Sequence, residues 1–154
     1  FNDEFKSFSK LNGREKIKNN FLLLEEFVLN EIKKGNHIKP KEFDKRVLIH
    51  GHCHQKSQNR TKGLTGLLNE LNIKNSMIDS SCCGMAGSFG YSSKHYEISK
   101  KMAHLTLIPT INNSSEEDFL VANGTSCRHQ ISDFCNKKPK HISELLFNLF
   151  ETIN

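Results

Sequence analysis

The chain has 154 residues, a formal charge of +5 and 36% apolar side chains, enough to bury the core of one ordinary domain. Its apolar stretches fall well short of the roughly 18 residues a membrane span needs, and no signal-peptide core lies near the start. A soluble protein without a membrane span is expected, and the scattering of the lysines, with no basic stripe and no interleaved aromatics, argues against a nucleic-acid partner. The sequence opens at Phe1 and reads as a piece of a longer protein.

In chain order, Ile17, Phe21, Leu24, Val28 and Ile32 recur at steps of three and four, predicting an amphipathic helix that Gly35 can end. Residues 45 to 52 read as a strand, followed by a helix burying Leu64, Leu67, Leu68 and Leu71. A second strand is expected over 75 to 79. A long helix should then bury Ile98, Met102 and Leu105 and stop before Pro109. The third strand runs over 118 to 122, a short helix passes through Gln130 and Ile131, and a terminal helix with Ser143 as N-cap buries Leu145, Leu146, Leu149 and Phe150. Alternating strands and helices predict an α/β fold of three layers, with a short, mainly parallel sheet and flanking helices. The first 44 residues form a helical segment packed on the domain of residues 45 to 154.

Five cysteines without a secretory signal favour metal or redox chemistry over a disulfide framework. Cys53, the adjacent pair Cys82 and Cys83, and Cys127 each follow a strand-like apolar run. Neighbouring parallel strands would bring these four thiols to one crevice at the carboxyl ends of the sheet, where ligands bind in such folds. Soft thiolates suit both zinc and iron-sulfur centres. The turn Ser81-Cys82-Cys83-Gly84-Met85-Ala86-Gly87 should aim backbone N–H groups at them, and a following helix start should lower their pKa values. Cys135, in a polar segment away from any strand end, reads as a small packed residue. Thiol-disulfide catalysis would need a Cys-x-x-Cys, which the chain lacks.

His50, His52 and His54 alternate and would share one strand face, with Cys53 pointing the other way, either as metal ligands or as hydrogen-bonded neighbours of a site. His129 carries the same two readings, and His95 and His104 are expected on a solvated helix surface. The glycines at 84, 87 and 90 make no nucleotide loop, because the Gly-x-Gly pair and the P-loop Lys-Ser/Thr are missing.

Three motifs, His52-Cys53-His54-Gln55-Lys56, Ser81 through Tyr91 with His95-Tyr96-Glu97, and Asn123-Gly124-Thr125-Ser126-Cys127-Arg128-His129-Gln130-Ile131, resemble the cysteine-rich CCG domain. That domain is shared by a subunit of heterodisulfide reductase, the iron-sulfur subunits of glycolate oxidase and anaerobic glycerol-3-phosphate dehydrogenase, and the carboxyl-terminal part of large FAD-linked oxidases of the D-lactate and 2-hydroxyglutarate dehydrogenase kind. The ending at Cys127 to Ile131 is most similar to the last of these, and the likeness runs from about Lys45 to the terminal helix.

The resemblance implies an electron-transfer segment of a bacterial oxidoreductase, cytoplasmic or peripheral at the inner membrane, holding a 4Fe-4S type cluster on Cys53, Cys82, Cys83 and Cys127. FAD would sit on another domain, with a further iron-sulfur domain in the same protein, and the segment alone would not be catalytic. The family's pattern closes with Cys-x-x-Cys where this chain has Gln130, and its usual two CCG motifs are here one. Zinc, in a structural or docking module that carries no electrons, therefore stays open beside the cluster.

Overall fold

The computed structural model describes residues 21 to 36 and 39 to 150. Helix α1 (Leu24–Lys33) precedes β1 (Val47–His50), α2 (Cys53–Ser57), α3 (Thr61–Glu70) and β2 (Asn75–Met77). A 3-10 turn at Phe89–Tyr91 leads into α4 (Tyr96–Leu105) and α5 (Leu107–Asn112), and then β3 (Phe119–Ala122), α6 (Thr125–Phe134) and α7 (Ile142–Phe150) complete the chain. Ile17 of the expected first helix lies outside the described residues.

All three strands are parallel, in the order β2-β1-β3, as expected of an α/β sheet. Val47 pairs with Asn75 on one side and Phe119 on the other, and the register holds to His50 opposite Ala122. Arg46 and Asp118 lock the entry of this pair with a two-pronged ion pair, Nε to Oδ1 at 3.0 Å and Nη2 to Oδ2 at 2.5 Å.

Because side chains alternate across a strand, β1 feeds two cores. Val47 and Ile49 pack with Leu64, Leu67 and Leu68 of α3 and with Ile142, Leu145 and Leu149 of α7, while Val28, Leu29 and Ile32 of α1 cover that layer. Leu48 faces the other way, onto Ala103, Leu107, Ile108, Ile111, Leu120 and Ile131. Each such buried aliphatic contributes about 1.5–3 kcal/mol, so helices on both faces are required by the apolar pattern of the strands. His50 falls on the Leu48 face, at the carboxyl end of the buried strand.

Several expectations are corrected. The first strand stops at His50, so His52 and His54 share no strand face with it: His52 is the residue before α2 and His54 lies in that helix's first turn. Ile98 and Leu105 of α4 are exposed, while Ser99 and Ala103 are buried and Met102 is half-buried. Two small residues one turn apart let this helix approach the cysteine turn closely, and that packing decides which face turns inward. The helix breaks at Thr106, and Pro109 sits in the first turn of α5, where its missing N–H costs nothing.

Ser143 is not the cap of α7 but its second residue. The helix start is held by its neighbours instead. Glu144 Oε1 accepts from the His141 N–H at 3.0 Å, His141 Nδ1 from the Ser143 N–H at 3.2 Å, and Asn123 Oδ1 from the Ile142 N–H at 3.2 Å. His95 is half-buried, stacked on Phe89 with ring centroids 4.1 Å apart, so of these two histidines it is His104 that occupies a solvated helix surface.

Candidate metal centre

The carboxyl ends of the strands open onto the thiols. From β1 the chain delivers His50. Six residues after β2 it delivers Cys83, and in the first turn of α6, just past β3, it delivers Cys127. A ring nitrogen of His50 and the sulfurs of Cys83 and Cys127 all lie within 4.8 Å of one another, and all three residues are buried. Among the described residues, this is the group of His, Cys and acidic side chains gathered tightly enough to hold a metal ion.

Cys53 and Cys82 stand outside that tight group, Cys53 exposed at the first residue of α2 and Cys82 half-buried. Both are nevertheless near enough to raise the pKa of Cys127 by their charge, and Cys53 and Cys83 do the same to Cys82. The crevice thus holds a buried pair of thiols and a second pair nearer solvent. Cys135 is outside the tight donor group, half-buried against the same core cluster, with its thiol pKa raised by burial.

The thiols differ in the direction of their pKa shifts. Cys127 donates to Cys83 and so holds the Cys83 thiol well below its ordinary range; burial opposes this, and His50 and the Met85 N–H reinforce it. Cys127, the donor, is driven up by that bond and then by burial. The Gly84 N–H donates to Cys82 Sγ at 3.3 Å, as the glycine turn led one to expect, yet burial outweighs it and Cys82 is also raised. A helix start does not follow directly on the turn, where the 3-10 segment intervenes.

The turn takes its shape from left-handed backbone at Gly84, Ala86 and Gly87. Gly84 sits at φ +93° with its Cα against α4: a Cβ there would lie 2.3 Å from the Ser99 carbonyl oxygen. Gly124 lies as close to the centre, since a Cβ would meet the His52 ring at 2.4 Å and Cys127 Sγ at 2.9 Å.

Around the thiols is a shell that motif spacing did not expose. Gln130 is buried, and its amide donates to the Cys83 carbonyl at 3.0 Å, to Ser99 O at 3.2 Å and to Ser99 Oγ at 2.9 Å. It therefore braces the cysteine turn from the position where a second cysteine would complete Cys-x-x-Cys. Lys56 Nζ donates to the Ser80 carbonyl and, at 3.3 Å, to that of Ser81. Burial lowers its pKa, while Asp79 and the thiols at 127, 53 and 82 draw it back up, so it places positive charge beside sulfur. Tyr91 OH and His129 Nδ1 bond at 2.5 Å, tying the far end of the turn to α6.

Glu25 of α1 is buried between two of the cysteine segments, its Oε1 accepting from Gln55 at 2.9 Å and Asn123 at 3.1 Å. Burial holds its pKa above the ordinary 4.5, with Glu26 adding to the rise and Gln55 and Arg60 opposing it. A raised carboxyl contributes stability that is fully present below pH 4.5 and is lost as pH rises through the folded pKa. Glu25→Gln keeps an accepting oxygen but cannot ionise. The unfolding free energy of the native protein minus that of the variant should therefore fall as pH rises from about 4.5, measured by urea denaturation over a pH series. A flat or rising difference would refute the raised pKa.

What the elements define is a thiol and imidazole site at the carboxyl edge of a parallel α/β sheet. No family model matches the chain, and no solved structure matches it. It is similar to a subunit of the anaerobic glycerol-3-phosphate dehydrogenase, both in Escherichia coli strain K12 and in Escherichia coli O157:H7. Each is 24% identical over 131 residues, which make up 84% of this chain and 33% of the relative. The chain spans about a third of the length of these relatives. The same dehydrogenase is among the proteins to which the CCG motifs point.

Proposed function

We propose that the chain is an iron-sulfur electron-transfer domain of a flavin-linked dehydrogenase or oxidase acting on a 2-hydroxy acid of the glycolate, D-lactate or 2-hydroxyglutarate type. The observation that carries this reading is the convergence of Cys83, Cys127 and His50 within 4.8 Å in a buried crevice, with Cys82 and Cys53 in electrostatic contact at its edge. The CCG motifs and the likeness to a subunit of an anaerobic dehydrogenase support it.

The donor set suits such a group: soft sulfurs favour iron-sulfur centres, and a buried imidazole nitrogen without a hydrogen-bond partner points to an occupant. In this reading Cys53, Cys82, Cys83 and Cys127 ligate a 4Fe-4S type cluster, which supplies one-electron transfer when bound. The chain's own residues hold the thiols in place, keep water from their buried side through Leu48, Met85 and Ile131, and offset negative charge through Lys56. FAD on another domain would oxidise the substrate, with a further iron-sulfur domain in the same protein, and residues 45 to 154 would form the CCG domain beneath an N-terminal helical segment. The domain would work in the cytoplasm or against the inner membrane. No helix among the described residues is long and apolar enough to cross one.

The test is the colour and metal content of anaerobically purified protein. Brown protein with broad visible absorption, and iron with acid-labile sulfide in it, is expected. Since mixed sulfur and nitrogen donors also suit zinc, colourless protein with about one zinc per chain would reject the relay in favour of a zinc-stabilised docking module. The domain alone should oxidise no 2-hydroxy acid, because that chemistry belongs to the flavin; turnover without added flavoprotein would overturn this.

A further inference from the structure

We infer that His50 is itself a ligand of this centre, binding through Nε2 on the buried side next to Cys83 and Cys127. The inference rests on the reading above only in requiring that the crevice binds a metal; it does not require that the metal be iron.

Four observations converge on it. His50 is only 1% exposed, at the end of the central strand. Its Nδ1 is engaged by Ser80 Oγ at 3.0 Å, whereas Nε2 is buried and reaches no partner at hydrogen-bond geometry, even though the His50 ring is near enough to Cys83 to lower that thiol's pKa. A buried polar atom left unpaired costs about 1–3 kcal/mol, and a histidine kept only for packing would not leave one beside a cluster of thiols. The third observation is distance, because a ring nitrogen lies within 4.8 Å of both sulfurs, closer as a group than Cys53 or Cys82 comes to them.

The fourth is the arrangement behind the ring. A metal-bound histidine commonly donates its other N–H to an acceptor that fixes its tautomer and orientation. Ser80 Oγ is placed for that role: when Nδ1–H donates to it, Nε2 carries the free lone pair. Ser80 is in turn held through its own carbonyl by Lys56. Gln130, by contrast, is turned away by three hydrogen bonds to Cys83 and Ser99, so the donor absent from α6 is replaced from β1. His50, Cys83 and Cys127 form the buried side of a four-donor coordination sphere, in which His50 takes the place of one of the two outer thiols, Cys82 or Cys53.

X-ray absorption at the edge of the bound metal, on the full chain purified anaerobically, separates imidazole from all-sulfur ligation. Sulfur ligation with one nitrogen and the outer-shell scattering of an imidazole is expected, and His50→Cys should retain metal while losing the imidazole signal. His50→Leu should lower metal per chain severalfold. Ser80→Ala should keep the imidazole signal but weaken metal affinity about ten- to hundredfold, as loss of an orienting partner does. An all-sulfur shell in the native protein, or an imidazole signal that survives in His50→Cys, overturns the inference, and so does a chain that binds neither iron nor zinc. Zinc with imidazole would sink the electron relay and keep His50 as a ligand, whereas iron in an all-sulfur shell would do the reverse.

Discussion

Serine at position 83 should strip the protein of most of its metal, while serine at position 135 should leave metal content unchanged. The contrast follows from what each sulfur touches. Cys83 is the thiolate to which Cys127 donates, and it lies within 4.8 Å of the His50 ring and Cys127 sulfur. A hydroxyl there is a harder, poorer ligand for a soft metal. Electron transfer in the full-length protein should fall with occupancy. Cys135 packs its half-buried side chain against the core cluster that Cys83 and Cys127 also join, but it is outside the tight donor group and no other thiol shifts its pKa. Its replacement should cost about 1 kcal/mol, the usual size of a single substitution. Iron and zinc per chain, measured side by side after anaerobic purification, with circular dichroism to confirm folding, decide the matter. Equal loss of metal in both variants would show the ligand set to be wrongly drawn.

Much of this arrangement could be read from residue order. Apolar runs at 47 to 49 and 119 to 122, separated by helical periodicities, carry the parallel sheet because a strand buried on both faces must be apolar throughout. The same logic puts ligands at the carboxyl ends of those strands. Periodicity could not say where a strand stops. One residue decides whether His50, His52 and His54 act alike, and the chain turns at Gly51, so only the first shares the face of Leu48.

Helix α4 turns a different face inward for a related reason. Its large apolar residues suggested one face, but Ser99 is the one that fits against the glycine turn, with Ala103 buried one turn further on, and close approach outweighed hydrophobicity. Glu25 lay beyond pattern reading altogether. A charged residue in the first turn of an amphipathic helix reads as solvated, and nothing local reveals that it will meet Gln55 and Asn123, the latter 98 positions away. His50 did leave a signal: a polar residue closing a run otherwise fully apolar is expensive to bury and so marks a site. That signal says a partner exists, but only the packing of β1 against the segments after β2 and β3 says which.

Alanine at Gly84 should be the most damaging of the small changes in the cysteine turn, far worse than alanine at Gly87. Both glycines adopt left-handed backbone, φ +93° at Gly84 and +71° at Gly87, and an L side chain is strained at either. At Gly87 nothing lies within 4 Å of an added Cβ, so only the backbone term of about 1 kcal/mol remains. Gly84 has no such room. Its Cβ would lie 2.3 Å from the Ser99 carbonyl oxygen and 3.2 Å from the Gln130 amide nitrogen, and backbone cannot swing aside as a flexible side chain can. Strain and overpacking together come to about 3–5 kcal/mol. Relief must come from moving α4 away from the turn, which breaks the hydrogen bonds by which Gln130 ties Ser99 to the Cys83 carbonyl. The loss should therefore appear twice, as a lowered urea midpoint and as reduced metal per chain, whereas Gly87→Ala should shift the midpoint slightly and keep its metal. If Gly84→Ala retains both metal and stability, α4 does not press on the turn in solution, and Gln130 cannot be the brace that holds Cys83 in place.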